Sequence, residues 1–129
     1  MKRELKLTAD PIDEAALLAG RSVSGTEGAA VCFLGFVRGL EEGAPIEAID
    51  YEAFEAMAVH QFNLLFDKVE ARWPVSSIRL VHRTGRVEVG EASLWVEVLA
   101  PHRGEAFEAA EWLIAEMKKT VPIWKKAVC

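Results

Sequence analysis

Cysteine, histidine and the usual ligand-binding spacings are scarce in this chain. Of its 129 residues only two are cysteine, Cys32 and Cys129, and three are histidine. No CxxC pair, no HExxH and no carboxylate loop with calcium spacing occurs, so neither a metal site nor a disulfide framework is expected. GxGxxG and GxxxxGKS/T are absent too, which removes the common nucleotide cradles. Positive charge is in deficit: 15 Lys and Arg stand against 20 Asp and Glu, a net charge of −5. That balance argues against a general nucleic-acid binder. No apolar run is long enough to span a bilayer. Met1-Lys2-Arg3-Glu4 leads into alternating residues rather than an apolar block, so a cytoplasmic setting is expected.

What is present is apolar side chain, 51% of the total, enough for one domain over residues 1–129 to hold together on its core. Leu5 and Leu7 alternate with Glu4 and Lys6, as in a strand with one wet face. Asp10-Pro11 reads as a helix cap and first turn, with Gly20 ending that helix. The apolar run from Ala29 to Val37 predicts a central strand buried on both faces, with Gly35 marking a bulge or a close approach. Burial would make Cys32 a poor nucleophile.

Arg38 to Pro45 reads as a turn-rich loop and Ile46 to Tyr51 as a strand. Phe54, Met57, Ala58, Phe62, Leu65, Phe66 and Val69 recur at helical spacing up to about Ala71, before Trp73-Pro74. Ser77 to His82, a short piece between Gly85 and Gly90, and Ser93 to Ala100 follow as strands. Interspersed helices with several consecutive strands predict an α+β fold on a largely antiparallel sheet.

The last helix, Glu105 to Lys119, presents Ala106, Ala109, Ala110, Leu113, Ile114 and Met117 on one side. Pro122 forces it to stop near Thr120. Lys118 then rides on the final turn, while Lys125 and Lys126 lie on chain that has left the helix. If that chain folds back, two ammonium groups meet at one spot and hold an anion. The plainer reading is that the lysines complement the carbonyl end of the helix dipole. Two more cationic places accompany them: Arg38, at the end of the apolar run, and His102-Arg103, opening the last helix where free N–H groups add to the charge. For these the plainer readings are a solvated strand end, a helix cap, and a salt bridge from Arg103 to Glu105 or Glu108. His82-Arg83 reads as a strand pair with one side chain in and one out.

Four ordered blocks, spread over about residues 28 to 126, resemble the large, catalytic subunit of molybdopterin synthase, the MoaE family. They are Gly28 to Arg38 with Tyr51 to Ala58, Val81-His82-Arg83-Thr84-Gly85, Ala100 to Ala109, and Met117 to Lys125. The resemblance implies an α/β hammerhead-type fold and a homodimer within a heterotetramer. It implies a small ubiquitin-like partner whose C-terminal Gly-Gly carries a thiocarboxylate. Sulfur would pass from that tail to cyclic pyranopterin monophosphate, building the dithiolene of molybdopterin with no further cofactor.

By position, the family's two essential lysines fall on Lys118 and Lys125. Its substrate-contacting arginine falls on Arg38, with Phe36 and Val37 beside it and Phe33 lining the pocket. Its His-Arg pair falls on His102 and Arg103, and Lys126 and Ala127 continue the binding segment. This chain ends Val128-Cys129 rather than Gly-Gly, so the resemblance points to the acceptor and not to the sulfur carrier. It departs from the family in Gly39-Leu40-Glu41-Glu42-Gly43, which lacks a common asparagine, and in stopping soon after Lys125. The other reading is a relative that docks the carrier without turnover.

Overall fold

The alternation at the N-terminus becomes strand β1 (Lys2–Thr8), and helix α1 (Glu14–Ala19) follows. The structure, a computed structural model, describes residues 1–129. Asp13 rather than Asp10 caps α1, accepting from the Ala16 N–H at 3.0 Å. Asp10 is held short of the helix by its own N–H, which donates to Thr8 Oγ1. Pro11 therefore precedes the helix instead of opening it.

The remaining elements are β2 (Ala29–Phe36), β3 (Leu40–Glu41), β4 (Ala44–Pro45), β5 (Ala48–Ala53), α2 (Glu55–Arg72), β6 (Ser77–Arg83), β7 (Gly85–Glu88), β8 (Ala92–Ala100), α3 (Arg103–Thr120) and β9 (Ile123–Val128). One sheet runs β1-β6-β8-β2 and a second runs β7-β5-β9. Only the β1–β6 pairing is parallel. The fold is thus α+β, antiparallel for the most part, with helices flanking the sheet.

Helices α2 and α3 lie against one face of the larger sheet. Phe62, Leu65, Phe66 and Val69 from α2 meet Ala106, Ala109, Ala110 and Leu113 from α3 over Ile78, Leu80, Val96 and Val98. Each fully buried Phe or Leu in this layer contributes about 1.5–3 kcal/mol relative to an exposed one. A smaller cluster of Val37, Ile46, Ile49 and Val87 ties the second sheet to the first.

Two expectations change here. The apolar run from Ala29 forms an edge strand, paired only with β8, and Cys32, Phe33 and Phe36 are exposed on it. Ala29 and Val31 still pack on the helix-covered core, but the aromatics near its end serve another purpose, described below. Gly35 does mark a bulge, since the register with β8 shifts between Gly35 and Phe36. The central strands are β6 and β8, buried on both faces. His82 and Arg83 accordingly point to opposite faces and both are buried, instead of one being solvated.

The sheet face away from α2 and α3 carries a polar row. Register places Glu4, Arg79, Glu97 and Cys32 side by side across all four strands. Arg79 binds Glu97 through two N–H groups at 2.8 and 2.9 Å, donates to Leu17 O of α1 and lies over the Trp95 ring. Arg21 adds a third bond to Glu97 at 2.7 Å and reaches Cys32 Sγ at 3.0 Å. Burial pushes the Cys32 thiol up in pKa, outweighing the nearby Arg21. It remains a poor nucleophile, although its strand is at the edge.

Candidate active site

Pro122 ends α3 as expected, and the chain turns into β9, which pairs antiparallel with β5 from Ile123 to Val128. This return brings the end of the helix and the lysine-bearing strand to one cleft of about 690 Å³. Met117, Lys118 and Val121 form one wall, and Ile123, Trp124 and Lys125 the next. Phe33, Phe36 and Arg38, from the end of β2 and just beyond it, line the same cleft. Tyr51, His82 and Leu94 also line it.

Five of the residues singled out from sequence therefore converge: Lys118, Lys125, Arg38, Phe33 and Phe36. The apolar edge strand makes sense as the wall of a cleft. Phe36, 57% exposed, is left open to whatever enters. The dipole reading survives for Lys119, which points outward and lies 3.6 Å from Glu116.

The other five do not line this cleft. Val37 is 3% exposed and belongs to the smaller apolar cluster, since alternation along the chain turns it away from Arg38. Lys126 and Ala127 continue β9 opposite Asp50 and Ile49, outside the cleft lining. His102 and Arg103 lie at the other end of α3. Fifteen residues of helix separate Arg103 from Lys118, roughly 22 Å at 1.5 Å per residue. One small ligand cannot touch both within a single chain.

His102 and Arg103 instead line a second, more open cavity with Gly28, Pro101 and Gly104. Gly28 is required there, because a Cβ on it would stand 2.3 Å from the Pro101 carbonyl oxygen. His102 makes no side-chain cap, and its Nδ1 lies 3.6 Å from Glu105. Glu108 accepts from the Trp73 indole rather than from Arg103.

Sequence reasoning missed Glu41. The segment read as loop contains the β3–β4 hairpin, closed by Glu42 (φ 50°) and Gly43 (φ 79°), both left-handed as a tight two-residue turn requires. The hairpin places Glu41 on the cleft, 3.0 Å from Lys125 Nζ. An incoming anion has to compete with this carboxylate. A surface pair of this kind is worth at most about 1 kcal/mol. Glu41→Gln is therefore expected to tighten binding of a small anion by up to about fivefold, read by titration calorimetry with inorganic phosphate. Weaker binding would mean that Glu41 positions Lys125 instead of competing for it.

A family model described as MoaE protein matches residues 7–120. The chain belongs to the MoaE family. The molybdopterin synthase catalytic subunit of Pyrococcus abyssi is 40% identical over 117 residues, covering 91% of this chain and 77% of that protein. Molybdopterin synthase catalytic subunit 1 of Aedes aegypti is 40% identical over 126 residues, covering 95% and 79%. The crystal structure of molybdopterin synthase from Staphylococcus aureus superposes with a TM-score of 0.87 at 31% identity, over 95% of this chain and 89% of that one. This MoaE-family chain is thus similar to molybdopterin synthase catalytic subunits, an enzyme family, and its α+β architecture is the hammerhead-type fold expected of it.

Proposed function

We propose that this chain is the catalytic subunit of a molybdopterin synthase. It takes sulfur from the C-terminal thiocarboxylate of a small ubiquitin-like carrier and delivers it to cyclic pyranopterin monophosphate, giving the molybdopterin dithiolene. The observation that carries this reading is the convergence of Lys118, Lys125 and Arg38 on one aromatic-walled cleft. Both reactants are anions, and cations held in a partly apolar enclosure bind and polarise them more strongly than cations in open water.

In this reading the carrier's extended tail enters between Phe33, Phe36 and Trp124. Lys125 orients the thiocarboxylate and stabilises charge developing on it, once the tail displaces Glu41. Lys118 is the proton-transfer group, or a transient covalent partner of the tail, during attack and release. Arg38 holds the substrate phosphate. Val37 anchors the chain before Arg38, and Lys126 and Ala127 secure Lys125 by pairing β9 to β5. The protein works as a homodimer within a heterotetramer, in the cytoplasm.

His102 and Arg103 serve the site of the second copy, since roughly 22 Å of helix removes them from their own Lys118. A mixing experiment checks this. Lys118→Ala and the His102→Ala/Arg103→Ala double variant are each expected to be nearly inactive. Random re-pairing of equal amounts would restore about one quarter of wild-type activity, because half of the dimers then hold one intact site out of two. No recovery would place the His-Arg pair outside the reaction.

The reading itself is tested by mass spectrometry of pterin products after mixing the chain with thiocarboxylated carrier and cyclic pyranopterin monophosphate. The dithiolene product is expected. A complex that forms on a sizing column yet makes no product would favour the docking-only reading.

A further inference from the structure

One buried titratable group in the cleft has no part in the scheme above. His82 sits on β6, 6% exposed, yet it lines the cavity that holds Lys118 and Lys125. Its Nδ1 lies 2.7 Å from the Arg83 carbonyl oxygen. A carbonyl only accepts, so Nδ1 carries the proton and Nε2 is left with a lone pair. The ring is held from a second side by Tyr51, edge to face at a centroid distance of 5.2 Å. Tyr51 in turn pairs with Lys125 across β5 and β9. The imidazole is therefore fixed in tautomer and orientation, with its free nitrogen making no hydrogen bond to the protein.

We infer that His82 is a catalytic general base of this site, taking a proton at Nε2 from the water that releases the carrier. The inference rests on the proposed sulfur transfer. When the thiocarboxylate sulfur has bonded to a carbon of the substrate, the carrier's acyl carbon is still attached to that sulfur as a thioester. Release requires water oxygen to bond to the acyl carbon and the carbon–sulfur bond to break. The electron pair leaves with sulfur as a thiolate on the substrate, and the carrier regains a carboxylate. One water proton goes to His82 Nε2 and the second leaves to solvent as the new carboxyl ionises, while Lys118 protonates the thiolate and is reprotonated in turn from His82 or solvent. No oxidant or reductant is needed.

The cations of the cleft are engaged elsewhere. Lys118 and Lys125 meet the tail and Arg38 meets the phosphate, while Glu41, 3.0 Å from Lys125 Nζ without the tail, gives way when the tail enters. Burial lowers the His82 pKa below the ordinary imidazole value, against a smaller opposing effect of its bond to Arg83. The base form is thereby maintained at neutral pH. Arg38, Lys118 of α3 and Lys125 of β9 face the same cavity and oppose a further positive charge on the ring. Glu41 of β3 favours it, and Tyr51 of β5 adds a hydroxyl.

His82→Asn tests this, because the asparagine amide can still donate to the Arg83 carbonyl while Nε2 is lost. The wild-type protein, thiocarboxylated carrier and cyclic pyranopterin monophosphate are mixed in a single turnover, quenched, and followed by intact mass. His82→Asn is expected to form the carrier–substrate thioester at a near wild-type rate and to lose it about 100-fold more slowly. In the wild type, the rate of adduct loss should fall as pH drops through the depressed imidazole pKa. In His82→Asn that limb should be missing.

Adduct that decays at the wild-type rate in the variant would overturn the assignment, as would slow formation with no accumulation. If the variant does not fold, the wild-type profile decides alone: adduct loss unchanged as pH falls through the imidazole range contradicts a histidine base. A wild-type protein that forms neither adduct nor product would overturn the sulfur-transfer reading itself, a different failure.

Discussion

Lys118→Ala is expected to lower product formation by roughly 10²–10³-fold while leaving carrier binding within a few-fold of wild type. The cleft explains the split. A carrier protein docks over a surface far larger than one ammonium group, so loss of Lys118 removes little of the contact area. In the proposed reaction the sulfur and acyl carbon come to lie where the end of α3 meets β9, and there Lys118 is the cation on the helix wall. Lys118→Arg should not rescue, because a guanidinium neither acts as a nucleophile nor gives up a proton near neutral pH. Lys125→Ala should cost both binding and turnover, since in the proposed reaction Lys125 meets the thiocarboxylate before and during attack. The check is steady-state product formation alongside calorimetric binding of the carrier. Equal losses in both for Lys118→Ala would make it a docking residue.

The second large effect lies away from the cleft. Glu97 is 1% exposed and receives Arg79 and Arg21 together. Burial alone would raise its pKa, but the bonds from the two guanidinium groups prevail and the net shift is downward. Glu97→Ala leaves Arg79 buried beside Trp95 with its counter-charge gone, a change that costs about 3–5 kcal/mol. For a chain of this size the melting temperature should fall by on the order of 10–20 °C. The pH dependence has a definite sign. A carboxylate with a lowered folded pKa contributes its full stability above the unfolded value and loses it as pH falls through the folded one. Wild-type stability should therefore drop in acid through a limb that Glu97→Gln largely lacks, measured by denaturant melts at several pH values. A melting temperature unchanged in Glu97→Ala would mean that the triad contributes nothing net.

Much of this architecture can be read from local signals. Pro122 ends α3 where backbone sterics require, and the periodicity of α2 and α3 gives most of their buried faces, although Phe54 and Met57 at the start of α2 stand exposed. The meeting of Lys118 and Lys125 follows from a helix end and a returning strand of only six residues. Longer-range facts are less legible. An apolar run such as Ala29 to Val37 looks the same whether its second face meets a helix or walls a cleft, so its edge position depends on strand order. The bonds from Glu97 to Arg79 and Arg21 span 18 and 76 residues, and no spacing rule links them. Glu41 reaches the cleft through a turn of left-handed residues, which Glu42-Gly43 signals only faintly. His102 and Arg103 are the instructive case. Resemblance groups them with Lys118, whereas the rise of an α-helix separates them in one chain, and that arithmetic needs only the sequence.

In the proposed function an anionic carrier tail lies between Lys118 and Lys125. The most direct test is to supply the carrier with its C-terminal carboxyl activated as a thioester, omit the pterin, and map acylated lysines by peptide mass spectrometry. An amide is expected at Lys118 well above every other lysine, suppressed by an excess of unactivated carrier. Acylation spread over surface lysines such as Lys2, Lys6 and Lys68, with Lys118 no more reactive than they are, would contradict it.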